Sequence, residues 1–262
     1  MKWLVALVTL IVTGGIGYIL SNKFIANANE QATYYQTMQV ADDAARMKYL
    51  MKTSAGRAGI NKAKITVVDS IKFDELKQSY EYIERTREEY TMHTETYATT
   101  DSNGKSTTHT RTYWSWDYAG SDSKRSKYVT VNGFKINASV IQLPQYDLKL
   151  KNTMFDKNIE YGMFFKHKGE VRNNYYYMGS STRYRYRYTP LSLKMTVFAR
   201  LKSDEMKPLS DGSEIVATTK TVKQVKEEYN NTAKNAQGAY IVAITISLLL
   251  SICSWLAYKN RV

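Results

Sequence analysis

The chain is poor in the residues that build covalent and metal-based chemistry. Of its 262 residues, one is cysteine, three are histidine and three are proline. A single cysteine, Cys253, excludes an intrachain disulfide and a cysteine-built zinc site. The histidines are His93, His109 and His167. His167 stands between Lys166 and Lys168, and neighbouring cations disfavour a metal ligand. There is no G-x-S-x-G elbow, no P-loop and no H-E-x-x-H. No Ser-His-Asp order is suggested, although Asp117 is available to pair with a histidine. The expectation is therefore no enzymatic activity, no cofactor and no metal. A membrane-tethered hydrolase is the least favoured alternative.

Acids are also scarce, 24 against 37 lysines and arginines, which gives a net charge of +13 and a pI of about 9.5. Such a balance favours anionic partners and says nothing about fold. What the chain does have is tyrosine, 22 residues of it. Tyrosine with threonine and valine argues for β-structure.

Two stretches carry no charge: "WLVALVTLIVTGGIGYILSN" (Trp3 to Asn22) and "NAQGAYIVAITISLLLSICSWLAY" (Asn235 to Tyr258). About 20 apolar residues at roughly 1.5 Å rise cross a hydrocarbon core about 30 Å thick. Trp3, Trp255 and Tyr258 are placed for one membrane face, and Tyr18 and Tyr240 for the other. Lys2, the apolar run and "ANA" at residues 26–28 also fit a signal peptide; the length of the run favours an uncleaved anchor. Small residues recur every fourth position: Thr9, Thr13, Gly17 and Ser21, then Ala239, Ala243, Ser247 and Ser251. Such stripes suit close helix packing in lipid, as a helix pair or a homo-oligomer. Lys and Arg counts near the spans give no clean orientation. The export-like start favours an extracytoplasmic domain on a two-pass protein of the cell (inner or plasma) membrane.

The sequence thus predicts an α+β membrane protein. Transmembrane helices occupy 1–22 and 237–262, with helical stalks at 23–62 (ending in a loop) and 217–236. They flank one antiparallel, hairpin-built β-rich domain at 63–216. A helix is expected over Glu30–Thr53, a strand at "KITVVDS" and a helical turn at "FDELKQ". Asn103-Gly104 suits a two-residue type I′ hairpin turn. In that register His93 faces Trp114, Thr91 faces Trp116 and Tyr97 faces Thr110, with His109 on the opposite face. Trp114, Trp116 and Tyr97 are expected to be buried. Two further strands should meet at Asn132-Gly133. "MFFKHKGEVRNNYYYM" and "LKMTVFARLK" read as strands, and "SDGS" as a turn.

"RYRYRYTP" (Arg183 to Pro190) alternates with period two, as a half-buried strand does. A Gly179-Ser180 turn would set Tyr176 opposite Arg183, Asn174 opposite Arg185 and Arg172 opposite Arg187. Arg172, Arg183, Arg185 and Arg187 are then candidates for binding a polyanion, nucleic acid or wall polymer, with arginines about 7 Å apart along the strand. The plainer reading is a solvated face paired with the acidic strand bearing Glu84, Glu88, Glu89 and Glu95.

"YIERTREEYTMHTETYATTDSNGKSTTHTRTYWSWD" resembles uncharacterised membrane proteins of tailed phages and prophages. "GEVRNNYYYM", "YTPLSLKMTVFARLKSDEMKPL" and "GSEI", followed by a stalk and a span, are similar to the membrane-adjacent β-domain of LUMA-type transmembrane proteins. These resemblances imply a membrane-side scaffold, phage-encoded; with the small-residue stripes, the expectation is a protein at a lipid bilayer that associates with itself or with another membrane protein. They supply no catalytic residue.

Overall fold

A charge-free run with no proline has every reason to be helical, and both ends of the chain are. The computed structural model describes residues 2–162 and 166–259. Helix α1 is Lys2–Gln36, unbroken. At the other end α3 (Val222–Ala236) is followed by α4 (Ala239–Lys259), with only Gln237 and Gly238 between them. Two helical segments, Trp3–Gln36 and Val222–Ala257, are long and apolar enough to cross a membrane. Between them the chain forms a central β-domain rich in antiparallel pairing, so the architecture is α+β.

The intervening elements are β1 (Gln39–Ala41), α2 (Ala44–Lys52), β2 (Gly56–Val67), β3 (Tyr82–Thr100), β4 (Ser106–Arg125), β5 (Tyr128–Val131), β6 (Phe134–Asn137), β7 (Ile141–Gln142) and β8 (Tyr146–Asp147). They continue as β9 (Glu160–Tyr161), β10 (His167–Lys168), β11 (Glu170–Arg172), β12 (Tyr175–Tyr177), β13 (Thr182–Thr189), β14 (Ser192–Lys202), β15 (Glu205–Lys207) and β16 (Ile215–Thr218). One eight-stranded sheet runs β6-β5-β2-β14-β16-β7, with β1 on β2 and β15 on β14. A six-stranded sheet runs β11-β12-β13-β3-β4, with β8 on β13. Two compact units result: Met1–Lys62 with Thr196–Leu209 and Thr218–Val262, and Ala63–Met195 with Ser210–Ala217. The stretch Thr196–Leu209, read from the sequence as part of the β-domain, belongs to the helical unit.

In the helical unit α1 and α4 lie side by side. A Cβ on Gly17 would come within 2.9 Å of the Ala243 Cβ, so the backbones touch where only glycine fits. The Ser251 hydroxyl donates to the Ala6 carbonyl at 2.9 Å. The Tyr240 hydroxyl donates to the Asn22 side chain. Trp3 packs on Trp255 at 6.1 Å and Tyr18 on Tyr240 at 5.9 Å, so the two helices are antiparallel. Further along, Ala28 and Ala32 of α1 meet Ala233 and Ala236 of α3. Thr221 and Gln224 form a capping box that starts α3. The Lys226 ammonium donates to the carbonyls of Gln36 and Met38, both at 3.0 Å, where α1 ends. A cation there suits the helix dipole. Tyr35 stacks on Tyr229 at 4.0 Å and meets Phe198 edge-on.

The helix expected over Glu30–Thr53 is interrupted. The chain leaves α1 after Gln36, pairs Gln39–Ala41 in parallel with Ala58–Ile60, and restarts as α2 on the Asp43 cap. Asp43 accepts from the Arg46 backbone N–H, the N-cap that begins α2. "FDELKQ" is a hydrogen-bonded turn without a helix. The strand expected at "MFFKHK" falls partly on residues 163–165, outside the described residues, as do Arg261 and the Tyr258 side chain.

The second unit has an aromatic core of Phe73, Leu76, Tyr80, Ile83, Phe155, Tyr176, Tyr184 and Tyr186. Phe155 lies flat on Tyr176, ring centroids 3.7 Å apart. Into this core reaches Glu75, buried, which accepts from Arg85 and from the Tyr186 hydroxyl at 2.9 Å each. The pairing satisfies the charge that burial would otherwise penalise. Burial first, and then Glu75, pushes the Tyr186 hydroxyl pKa well above the ordinary phenol.

The helix contact gives a direct expectation. Gly17→Leu should separate α1 from α4 and cost about 1–3 kcal/mol, the usual effect of overpacking. Gly14→Leu, with open space where its side chain would begin, should be near neutral. Thermal unfolding of the detergent-solubilised chain distinguishes the two.

Candidate functional site

The arginine strand and the long hairpin are neighbours in one sheet. β13 pairs with β3 from Thr182↔Glu89 to Thr189↔Tyr82. Tyr184 and Tyr186 are buried in the core, and Arg185 and Arg187 are exposed on the other face, as period-two alternation requires. The detailed register differs from expectation. Tyr177 pairs with Arg183 and Tyr176 with Tyr184, because Gly179, Ser180 and Ser181 make a longer loop closed by Met178 N–H to Thr182 O. Arg172 does not face Arg187. Asn173 and Asn174, both with positive φ, turn the chain first, so Arg172 lies opposite Tyr175. Asn tolerates that conformation, and the Asn-Asn pair is the sequence signal for this turn.

Each of the four arginines meets a carboxylate. Arg183 binds Glu88 at 2.7 Å, with side chains only 16% and 12% exposed. Its guanidinium also lies between the rings of Tyr175 (3.8 Å) and Trp116 (4.3 Å). Arg185 is 3.8 Å from the same Glu88, Arg187 is 3.9 Å from Asp147, and Arg172 is 2.7 Å from Glu170. Of the acidic strand only Glu88 takes part, shared by Arg183 and Arg185, with Arg183–Glu88 as the structural pair.

The hairpin β3–β4 also departs by one residue. Thr100 pairs with Ser106 and His93 with Tyr113, where the Asn-Gly turn would have set His93 against Trp114. The Asp101 side chain accepts the backbone N–H of both Asn103 and Lys105, an Asx turn that draws five residues into the loop. Only Gly104 takes positive φ there. His93, Tyr97, His109 and Tyr113 therefore share a face, and Tyr97 leaves the face of Trp114 and Trp116. Trp114 and Tyr97, expected to be buried, are exposed. Toward the base, Gly120 (φ 116°) sits at a bulge that shifts the register between Thr86 and Glu88.

On the His93 face lies a small polar cluster. Asp117 accepts from Ser115 at 2.8 Å and from Thr91, and lies 2.5 Å from His93 Nε2. The Ser115 hydroxyl and then His93 hold the Asp117 pKa below the ordinary carboxylate. Nucleophilic catalysis needs the imidazole between hydroxyl and carboxylate. Here Ser115 binds only the carboxylate, and the Thr91 hydroxyl (3.1 Å) and Asp117 both meet the same His93 nitrogen, so the ring does not stand between a hydroxyl and the carboxylate. His109 bonds Thr99 at 2.9 Å instead of joining His93. Among the described residues, no group of three or more His, Cys, Asp or Glu is placed to hold a metal.

The helix stripes are used within the chain. Gly17 meets Ala243, and Ser251 bonds α1. Ser21 and Ser247 are buried, and Thr9, Thr13 and Ala239 are half-buried. Thr9, Thr13 and Ser247 turn their hydroxyls back to the carbonyls four residues earlier. An open apolar groove of about 710 Å³, lined in part by Gly17, Phe24 and Val242, runs along the pair.

Glu81 is the group whose burial is hardest to satisfy. It is 1% exposed, neither carboxylate oxygen has a hydrogen bond, and the nearest cation is Arg125 at 3.6 Å. Desolvation raises its pKa, and Arg125 only partly opposes this.

Comparison with protein-family models, curated proteins and solved structures finds no match. The function is therefore read from this chain's own geometry.

Two outcomes are expected. Arg183→Ala should cost about 2 kcal/mol or more, because it strands Glu88, whereas Arg185→Ala should cost under about 0.5 kcal/mol. Denaturant unfolding measures both. For Glu81 the folded state holds its proton more tightly than the unfolded chain. The contribution of Glu81 to stability is therefore fully present below the ordinary carboxylate pKa and is lost as pH rises through the raised value. Glu81→Gln should flatten that decline in unfolding curves recorded from pH 4 upward.

Proposed function

We propose that the chain is a non-enzymatic scaffold that crosses a bilayer twice and presents its β-rich unit to copies of itself or to other membrane proteins. The observation that carries this reading is the two-faced surface of the α1–α4 pair. Its inner side is small residues in contact. Its outer side is exposed Leu4, Leu7, Ile11, Ile16, Ile244 and Leu248, among others. An apolar surface of that extent is a liability in water and is solvated by acyl chains in lipid. The paired aromatics support the same placement. Trp3–Trp255 and Tyr18–Tyr240 are about 22 Å apart along the helix, and Lys23, the first charge after the run, is about 30 Å from Trp3. Two aromatic levels bounded by charge fit two membrane interfaces.

The resemblance to phage and prophage membrane proteins favours a phage-encoded protein in the host's inner or plasma membrane, with the β-rich unit outside the cytoplasm. The alternative reading is a polyanion bound by the four arginines. Of these, Arg183 is committed to Glu88, while Arg172, Arg185 and Arg187 stay half exposed beside Glu170, Glu88 and Asp147, with which a polyanion would compete.

Single-cysteine labelling in membranes tests the topology, in a Cys253→Ser background. A membrane-impermeant reagent should reach Ser102→Cys from one side and Lys2→Cys only from the other. Equal labelling of both from one side, or release of the chain by an alkaline wash, sinks the two-span reading.

A further inference from the structure

Beyond Tyr90, whose N–H still donates to the Ser181 carbonyl, β3–β4 continues alone through ten pairs, from Thr91↔Ser115 to Thr100↔Ser106. That is a two-stranded arm about 35 Å long. An isolated two-stranded ribbon is marginal in water and calls for a further strand. The outer edge of β4 is free along its length among the described residues. From Ser106 to Tyr118 that edge shows few of the devices that blunt edges: it has no proline and no bulge, and Arg111 and Asp117 are its charged residues.

We infer that the β4 edge is the contact by which two copies of this chain associate, antiparallel, about a two-fold axis at Trp114. Three observations select a second copy. First, the arm is neutral in a chain of +13. Over Tyr90–Trp116 Glu95 and Asp101 offset Lys105 and Arg111, so like charge does not keep copies apart here. Second, the edge is self-complementary in charge. A two-fold at Trp114 sets Arg111 of each copy opposite Asp117 of the other, twice. Within its own hairpin Arg111 holds Glu95 at 2.7 Å and Asp117 binds Ser115, Thr91 and His93, so the cross-copy pair would add to these contacts and not replace them. The same axis sets Thr112 opposite Trp116 and Tyr113 opposite Ser115. A two-fold at Arg111 or at Asp117 would set like charges together. Third, the faces match. The even-numbered face carries Tyr90, Met92, Trp114 and Trp116. Tyr90 stacks on Trp114 and Trp116 at 5.4 and 5.1 Å, while Trp114 and Met92 stay 54% and 59% exposed. In the paired ribbon this face continues from one copy to the next, with the two Trp114 side chains adjacent. The bulge at Gly120 ends the regular edge just past Tyr118, so the pairing spans Thr110 to Tyr118 in each copy.

The inference rests on the reading of the chain as a self-associating scaffold, and names the surface. It is tested on the full chain in lipid nanodiscs and gentle detergent, in a Cys253→Ser background. Trp114→Cys sits on the proposed axis, where side chains of opposed residues come within disulfide reach under mild oxidation. Thr108→Cys, on the same edge but six residues off the axis, does not. The expected result is about ten-fold more disulfide dimer for Trp114→Cys than for Thr108→Cys. Mass measurement should show the unlinked chain as a dimer and Arg111→Glu, which opposes two acids, shifted toward monomer. Equal trapping at both positions overturns the inference. An untrapped wild-type dimer overturns this surface but leaves self-association intact, and a monomer at micromolar concentration overturns both. Topology by cysteine labelling is read separately, so failure here is not confused with failure of the two-span reading.

Discussion

The contact of Gly17 with Ala243 is the constraint on which the helical unit depends. It brings together segments more than 220 residues apart in the sequence, and it requires that neither present a side chain beyond Cβ at the crossing. Once the backbones touch, the rest follows from proximity. Ser251 reaches the Ala6 carbonyl, Tyr240 reaches Asn22, and the large side chains that cannot fit the seam turn outward. The same pairing continues past the apolar segments as an alanine seam, and the Lys226 ammonium closes the end of α1.

Much of this was legible beforehand. Long uncharged runs, four-residue spacing of small side chains and aromatics at matched depths are signals of composition and period, and they need no knowledge of neighbours. The alternation in "RYRYRY" is of the same kind, since period two dictates which side chains go in. Turns were less legible, and two identical dipeptides show why. Asn132-Gly133 forms the expected two-residue turn, both residues with positive φ. Asn103-Gly104 does not, because Asp101 two residues before it offers a competing acceptor. A local hydrogen bond decides between them, and in a strand a shift of one residue exchanges the two faces. That shift is what gathers His93 and His109 on one side and leaves Trp114 uncovered.

Charge pairing shows the corresponding limit for the site. Four arginines in a basic segment resemble a polyanion surface until the partner strand is known. Glu88 lies 95 residues from Arg183 and is brought beside it only by the β13–β3 register. The acidic run was visible, but which acid answers which arginine was not. Glu81 was less visible still, since nothing in "SYEYIE" marks one glutamate for full burial and leaves its neighbour Glu84 half-buried with a hydroxyl partner.

The unbroken length of α1 has a mechanical consequence. Gly17 and Ala28 are eleven residues apart, about 1,100° of rotation, so they fall within roughly 20° of the same azimuth. The apolar half and the stalk half are thus keyed to one seam on a single rigid shaft. A twist applied to either half is carried to the other through one continuous helix that no proline interrupts, with Gly14, Gly15 and Gly17 as its most compliant stretch.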